Sequence, residues 1–384
     1  MESLALYLHW PFCASKCPYC DFNSHVRERV DHGRWRDALL RELRREAARA
    51  GRRPLVSIFF GGGTPSLMEP ETAAALVAEA RTLFDAPGDL EVTLEANPTS
   101  VERGRLAAFR DAGVSRLSLG VQSLDEEALR FLGRRHDARE AVAALEVARA
   151  LFPRLSFDLI YARPGQAEAA WRDELRRALA LAADHLSLYQ LTIEPGTRFA
   201  TEHARGAFAL PADDDAARLY EATAEEAGRF GLLPYEVSNY ARPGAESRHN
   251  LQYWRYGDYL GIGPGAHQRL SVDGGALLAA RRHRAPEEWL ARVERDGHAA
   301  TSEEALAPLD RMREALLMGL RLAEGVDTAR LEARCAMPLA DAVDPAMLAA
   351  CEEEGYLERL PSGRFRATAE GRLRLDAMLP VLLR

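Results

Sequence analysis

L-A-L-Y-L-H-W-P-F-C-A-S-K-C-P-Y-C-D-F (4–22) is the stretch that decides how this chain is read. A short apolar strand leads into a tight loop that carries Cys13, Cys17 and Cys20 at CxxxCxxC spacing. Three thiolates on one loop can hold three irons of a four-iron, four-sulfur cluster. The fourth iron is then left without a protein ligand, free to bind a small molecule and pass it an electron. The competing reading is a zinc site, which usually closes with four ligands, often as two CxxC pairs. The other two cysteines, Cys335 and Cys351, lie in the C-terminal region. The spacing favours the cluster.

Strand-like runs repeat outward from this loop. After residues 4–8 come V-S-I-F-F (56–60), E-V-T-L-E (91–95), R-L-S-L-G-V (116–121), L-S-F-D-L-I (155–160) and L-S-L-Y-Q-L (186–191). Segments 71–84, 101–112, 138–151 and 168–183 between them are rich in Ala, Leu, Arg and Glu with helical periodicity. Repeated βα units imply a parallel sheet, since each parallel connection needs a crossover. Six units predict an α/β fold, a partial (β/α)6 barrel over residues 1–235 rather than a closed eight-stranded one. A helix over 213–230 precedes an irregular Gly/Tyr/Trp-rich extension, assigned to 236–300. A long amphipathic helix is expected over 302–323. The remainder of 301–384 reads helix, helix, a hairpin around P-S-G (361–363) and a last helix, which resembles a small winged-helix module.

The 384 residues carry 47% hydrophobic and 28% charged residues and a net charge of −8. No global basic field argues for nucleic acid as a partner. The R-E-L-R-R-E-A run (41–47) reads as a solvated helix face. No run approaches the roughly 20 apolar residues of a transmembrane segment, and residues 1–10 do not read as a secretory leader. Few, clustered cysteines and an oxygen-labile cluster fit a reducing, cytoplasmic location.

Polar residues gather at the expected strand ends, where parallel α/β folds bind ligands. G-G-G-T-P (61–65) follows the second strand; it serves either as a tight turn or as a place where backbone meets a ligand. Glu95 ends the third strand, where a helix cap is the plain alternative. Gln122 ends the fourth, with Arg134 twelve residues on. Asp158 interrupts an apolar strand, a costly placement unless it is paired or faces a polar cavity. Together they suit a zwitterionic, ribose-bearing cofactor.

These motifs together have a family pattern. Y-L-H-W-P-F-C-A-S-K-C-P-Y-C-D-F-N-S, F-G-G-G-T-P-S, E-A-N-P, S-L-G-V-Q-S, L-G-R-R-H and D-L-I-Y-A-R-P-G-Q resemble the radical S-adenosylmethionine (SAM) proteins of the oxygen-independent coproporphyrinogen III oxidase family. The resemblance covers almost the whole chain and is nearest to the family's heme chaperone branch. It implies cluster ligation by Cys13, Cys17 and Cys20, and SAM contacts from Tyr7, Gly62 and Glu95. Gly63, Thr64, Gln122, Arg134 and Asp158 correspond to positions that hold a second SAM in the oxidase. A bulky residue at Gly62 is expected to block SAM while sparing the cysteine loop.

Two features separate the branches. Oxidases continue to a fourth cysteine, CxxxCxxCxC, where this chain has Phe22. H-N-L-Q-Y-W (249–254) resembles a motif associated with heme binding. His249 is the candidate imidazole, with Tyr253 and Trp254 as flat apolar surface; a packed aromatic loop is the plain alternative. The expected function is a heme chaperone that binds a 4Fe-4S cluster, SAM and heme and passes heme to acceptor apoproteins, by resemblance respiratory hemoproteins. The oxidase, decarboxylating coproporphyrinogen by radical chemistry, is the alternative. A DNA-binding regulator using the winged-helix-like tail is disfavoured by the acidic balance.

Overall fold

The structure, a computed structural model, describes residues 2–98, 103–272 and 274–384. The six expected strands form: β1 (Leu4–Trp10), β2 (Leu55–Gly62), β3 (Glu91–Ala96), β4 (Arg116–Gln122), β5 (Arg154–Tyr161) and β6 (His185–Gln190). They lie side by side in chain order and every neighbouring pair is parallel. Helices His32–Ala50, Pro70–Leu83, Arg103–Asp111, Ala138–Leu151 and Glu168–Leu181 make the crossovers. Residues 101–102 of the expected third crossover lie outside the described residues. Local signals place the helix starts. Asp137 and Glu140 form a reciprocal capping box before Ala138, and Asp31 accepts from the Arg34 N–H.

Stretch 236–300 is not irregular. A seventh strand, β7 (Asp258–Ile262), lies parallel to β1 on its outer side. β8 (His267–Ser271), β9 (Leu277–Arg282) and β10 (Ala300–Ala305) then continue the same sheet antiparallel. On the other side Asn239–Ala241 pairs antiparallel with β6, and Leu233–Pro234 pairs with Asn239–Ala241 to form the far edge. The sheet therefore has two ends and stays open. An expected domain boundary at 235 falls inside this sheet, and the one at 300 falls at the start of β10. The single helix expected over 302–323 is instead β10 followed by helix Pro308–Gly319. Pro308 explains the break: it starts a helix well, having neither a needed N–H nor a free φ.

The 41–47 run also departs from its expected role. Glu42 and Glu46 are buried, not solvated. Glu42 accepts from the Gly263 and Ala299 N–H groups at 2.9 and 3.0 Å and from Trp289 Nε1 at 3.1 Å. Arg282, itself buried, stands 3.4 Å from Glu42 and 3.1 Å from Glu46. These bonds offset a desolvation cost that an unpaired buried charge would leave standing. The network ties the first crossover helix to the β7–β10 extension.

Residues after β10 form their own core around Met312, Leu316, Leu320, Phe365 and Leu379. Hairpin Leu357–Arg359/Arg364–Ala367 turns at 361–363 as expected, and Val326–Asp327 adds a third strand. Helices Thr328–Cys335 and Pro345–Glu353 precede the hairpin, and Ala369–Leu373 and Leu375–Leu382 follow it. No helix among the described residues is long and apolar enough to cross a membrane.

Candidate functional site

The cysteine loop is held by both strands at its base. Its entry, Phe12–Cys13, pairs with His25–Val26. The Gly63 N–H donates to Trp10 O at 2.7 Å and the Thr64 N–H to Phe12 O at 2.8 Å. Beneath lie Trp10, Phe12, Trp35 and Trp289, packed edge-on or stacked with centroids 4.9–5.9 Å apart. A rigid aromatic floor thus fixes the loop over the sheet's C-terminal end.

The glycine run has a local cause. A Cβ on Gly62 would stand 2.5 Å from the His9 ring, and one on Gly63 would stand 2.7 Å from Phe12 O. Gly62 also has φ +114°, a conformation that side chains avoid. The triplet is therefore required first by close packing of β2 on the cysteine-loop entry. A bulky residue at 62 would press on the His9 ring, whose Nε2 bonds Asn23 O at 2.9 Å just beyond the cysteines, so the position bears on the loop as well as on the ligand side.

Cys13, Cys17, Cys20, Gly62, Gly63, Thr64, Glu95, Gln122, Arg134 and Asp158 all line one cavity of about 130 Å3. Among the described residues no three His, Cys, Asp or Glu side chains converge as a single metal ion requires. The three thiols instead border a shared space, the arrangement in which each meets a different iron. A hydrogen-bonded chain backs them. Thr64 Oγ1 donates to Cys13 Sγ at 3.4 Å, and Asn97 Nδ2 donates to Thr64 Oγ1 at 3.0 Å. Arg134 donates to Asn97 Oδ1, to Gly120 O at 2.7 Å and to Cys17 Sγ at 3.2 Å. Burial raises the Cys13 and Cys20 thiols above their ordinary range. Asn97 is the residue that the motif reading passed over, although it sits in E-A-N-P.

The cavity's electrostatics ask for a cation. Glu95 accepts from the Gly62 N–H at 3.2 Å, and burial, then the charge of Asp158, push its carboxyl up to about 8. Burial pushes Asp158 up to about 6. Neither acid has a salt-bridge partner among the described residues, so a ligand bearing an ammonium or sulfonium group would relieve both. Gln122 takes φ +71° at a register shift in β4, and its buried Oε1 has no partner. A strained, unpaired amide aimed at a cavity marks a ligand contact. These residues fit a three-cysteine cluster and SAM.

Tyr7 and His249 lie elsewhere. Tyr7 donates to or accepts from His9 Nδ1 at 3.1 Å and lines a second cavity of about 900 Å3. That cavity shares Phe22, Gly62 and Glu95 with the first. His249 is only 1% exposed. Its Nδ1 bonds Ser57 Oγ and its Nε2 bonds Tyr253 Oη, both at 2.9 Å, and its ring stacks on Phe59 with centroids 4.8 Å apart. Burial pulls its pKa down to about 3. Trp254 points to yet another place, under Arg321 at 4.8 Å and beside the C-terminal module. In this structure the H-N-L-Q-Y-W helix, Arg248–Trp254, joins β2 to that module, and the expected heme contact of His249 would require breaking the hydrogen bond at whichever ring nitrogen met the iron.

The chain matches the Radical SAM superfamily model over residues 7–178 and the HemN C-terminal domain model over residues 306–374. It is 37% identical to "Heme chaperone HemW" of Escherichia coli K12 over 385 aligned residues, covering 100% of this chain and 99% of that protein. The chain belongs to the HemW family of radical SAM proteins. Another relative, "Radical S-adenosyl methionine domain-containing protein 1, mitochondrial" of Bos taurus, is 44% identical over 85% of this chain and 74% of that protein. Among solved structures, the coproporphyrinogen III oxidase HemN of Escherichia coli superposes with a TM-score of 0.81 at 26% identity, covering 99% of this chain and 90% of that one. Membership implies a 4Fe-4S cluster and SAM, which the first cavity's residues accommodate.

Proposed function

We propose that this HemW-family protein is a heme chaperone: it holds a 4Fe-4S cluster, SAM and heme, and passes heme to acceptor apoproteins, respiratory hemoproteins among them. The observation that carries the reading is the pair of adjoining cavities, a small polar one at the cysteine loop and a larger aromatic one sharing Phe22, Gly62 and Glu95 with it. When bound, the cluster supplies an open iron at which SAM is held. Cys13, Cys17 and Cys20 hold the cluster; Arg134 and Thr64 donate toward the sulfurs of Cys17 and Cys13. Glu95, Asp158 and Gln122 orient SAM, the two acids through its cationic groups. Tyr7 approaches SAM from the larger cavity, and Gly62 from the wall that the two cavities share.

The oxidase reading draws on the likeness to HemN. Against it stands Phe22, 59% exposed at the position of the oxidases' fourth cysteine and bordering both cavities. The test is one anaerobically reconstituted sample assayed twice. Hemin should give a Soret band that survives desalting, and coproporphyrinogen should not be decarboxylated. Appreciable protoporphyrinogen formation with no retained Soret band would replace this reading by the oxidase.

A further inference from the structure

We infer that the larger cavity seats the tetrapyrrole, with Arg281 and Arg284 taking its propionate carboxylates and His267 facing its iron. This rests on the chaperone reading above and assigns residues that H-N-L-Q-Y-W does not contain. At about 900 Å3 the cavity lies in the range of about 300–1,000 Å3 typical of cofactor pockets. Tyr7, Phe22, Tyr253, Tyr259 and Met318 give it flat or polarizable surface suited to a macrocycle. Strand β9 and the turn after it bring in the charge.

Side chains alternate along β9. Arg282 turns inward and is consumed by Glu42 and Glu46. Arg281 and Arg284 are exposed, line the cavity and have no acidic partner among the described residues. Nearby Arg27 and Arg49, by contrast, are paired with Glu287 and Glu303 at 2.7 Å. Two unpaired guanidinium groups beside an aromatic cavity fit a flat ligand with two carboxylates, since each fork can grip one carboxylate in bidentate fashion.

His267 faces Arg281 directly across the β8–β9 ladder. It is exposed within the cavity, and its ring makes no hydrogen bond among the described residues. Burial, then Arg281, Arg269 and Arg284, hold its pKa below the ordinary value, so a neutral nitrogen with a free lone pair faces the cavity near neutral pH. The other two cavity imidazoles are engaged: His283 uses Nδ1 to accept from the Ala285 N–H at 3.2 Å, and His9 bonds the Tyr7 hydroxyl through Nδ1 at 3.1 Å and Asn23 O through Nε2 at 2.9 Å. His249 uses both nitrogens.

The experiment titrates full-length, reconstituted protein with hemin and with hemin dimethyl ester, which lacks the carboxylate charges. Wild type, Arg281→Ala/Arg284→Ala, His267→Ala and His249→Ala are compared, with circular dichroism as a folding check. The double arginine variant should bind hemin roughly tenfold to a hundredfold more weakly, and should bind the dimethyl ester as wild type does. His267→Ala should shift the Soret maximum and the ferric EPR signal; folded His249→Ala should leave both in place. Unchanged hemin affinity in the double variant, or a ligand shift in His249→Ala but not in His267→Ala, overturns the assignment. Absence of any Soret band in wild type is a separate result: it overturns the chaperone reading itself.

Discussion

Ten of the candidate residues, from Cys13 to Asp158, meet at one strand-end cavity, whereas the aromatic helix Arg248–Trp254 splits its motif in two directions. Both regions came from equally compact sequence signatures. They differ in what fixes the direction of a side chain. In a parallel sheet with crossovers, every strand's C-terminal end reaches the same rim, so position along the chain dictates place in space. A short helix has no such rule. Its faces go wherever packing demand is greatest, and here His249 satisfies Ser57 and Tyr253 while Trp254 meets Arg321.

The contrast breaks most visibly at the cysteines. Cys17→Ser should abolish the brown cluster absorbance and most bound iron, because an alkoxide is a poor ligand for this centre. Iron and sulfide content after reconstitution measures it, and wild-type loading in the variant would remove the cluster assignment. Gly62→Val comes next. Its φ and its 2.5 Å approach to the His9 ring impose strain on the order of 1–3 kcal/mol. Cluster loading and the SAM-induced EPR change should fall together; loss of the SAM response with full loading would show that Gly62 serves the ligand alone.

His249→Ala sharpens the other side. It leaves the Ser57 and Tyr253 hydroxyls without their buried partner, at a cost on the order of 1–3 kcal/mol. The thermal midpoint should drop even with no heme present. A variant as stable as wild type that has nonetheless lost heme would restore His249 as a ligand. The smallest effect is a pH slope. With Glu95 held near 8 and Asp158 near 6, the unfolded chain releases protons at lower pH than the folded cavity does. Stability of the SAM-free protein should therefore be unpenalised below about pH 4 and decline as pH rises toward about 8. Glu95→Gln should flatten that decline, as followed by thermal midpoints across the range; an identical slope in the variant would mean that Glu95 is ordinary.

Much of this was legible in the residues. Six apolar runs, each followed by a helical segment, specified β1–β6 and their order, because period and crossover leave few alternatives. The rim followed from that order. What escaped notice depended on partners far away in sequence. The 41–47 run looks amphipathic and charged, yet Glu42 is buried because Gly263, Trp289 and Ala299 present N–H groups to it. β7 to β10 carry too many Gly, Arg and Glu residues to read as strands, and they form because β1 offers an unpaired edge to Asp258–Ile262. Pro308 was the one local sign that the helix expected over 302–323 begins later. The larger cavity's Arg281, Arg284 and His267 stand on that same extension, which is why no motif pointed to them.

The most direct measurement loads the reconstituted protein with hemin, removes free hemin, and adds an apo-b-type cytochrome under anaerobic conditions. The account predicts that the Soret band moves to the acceptor's position while coproporphyrinogen, supplied in parallel with SAM and reductant, is left intact. Heme that stays bound to the protein, with carbon dioxide released from coproporphyrinogen, would contradict it.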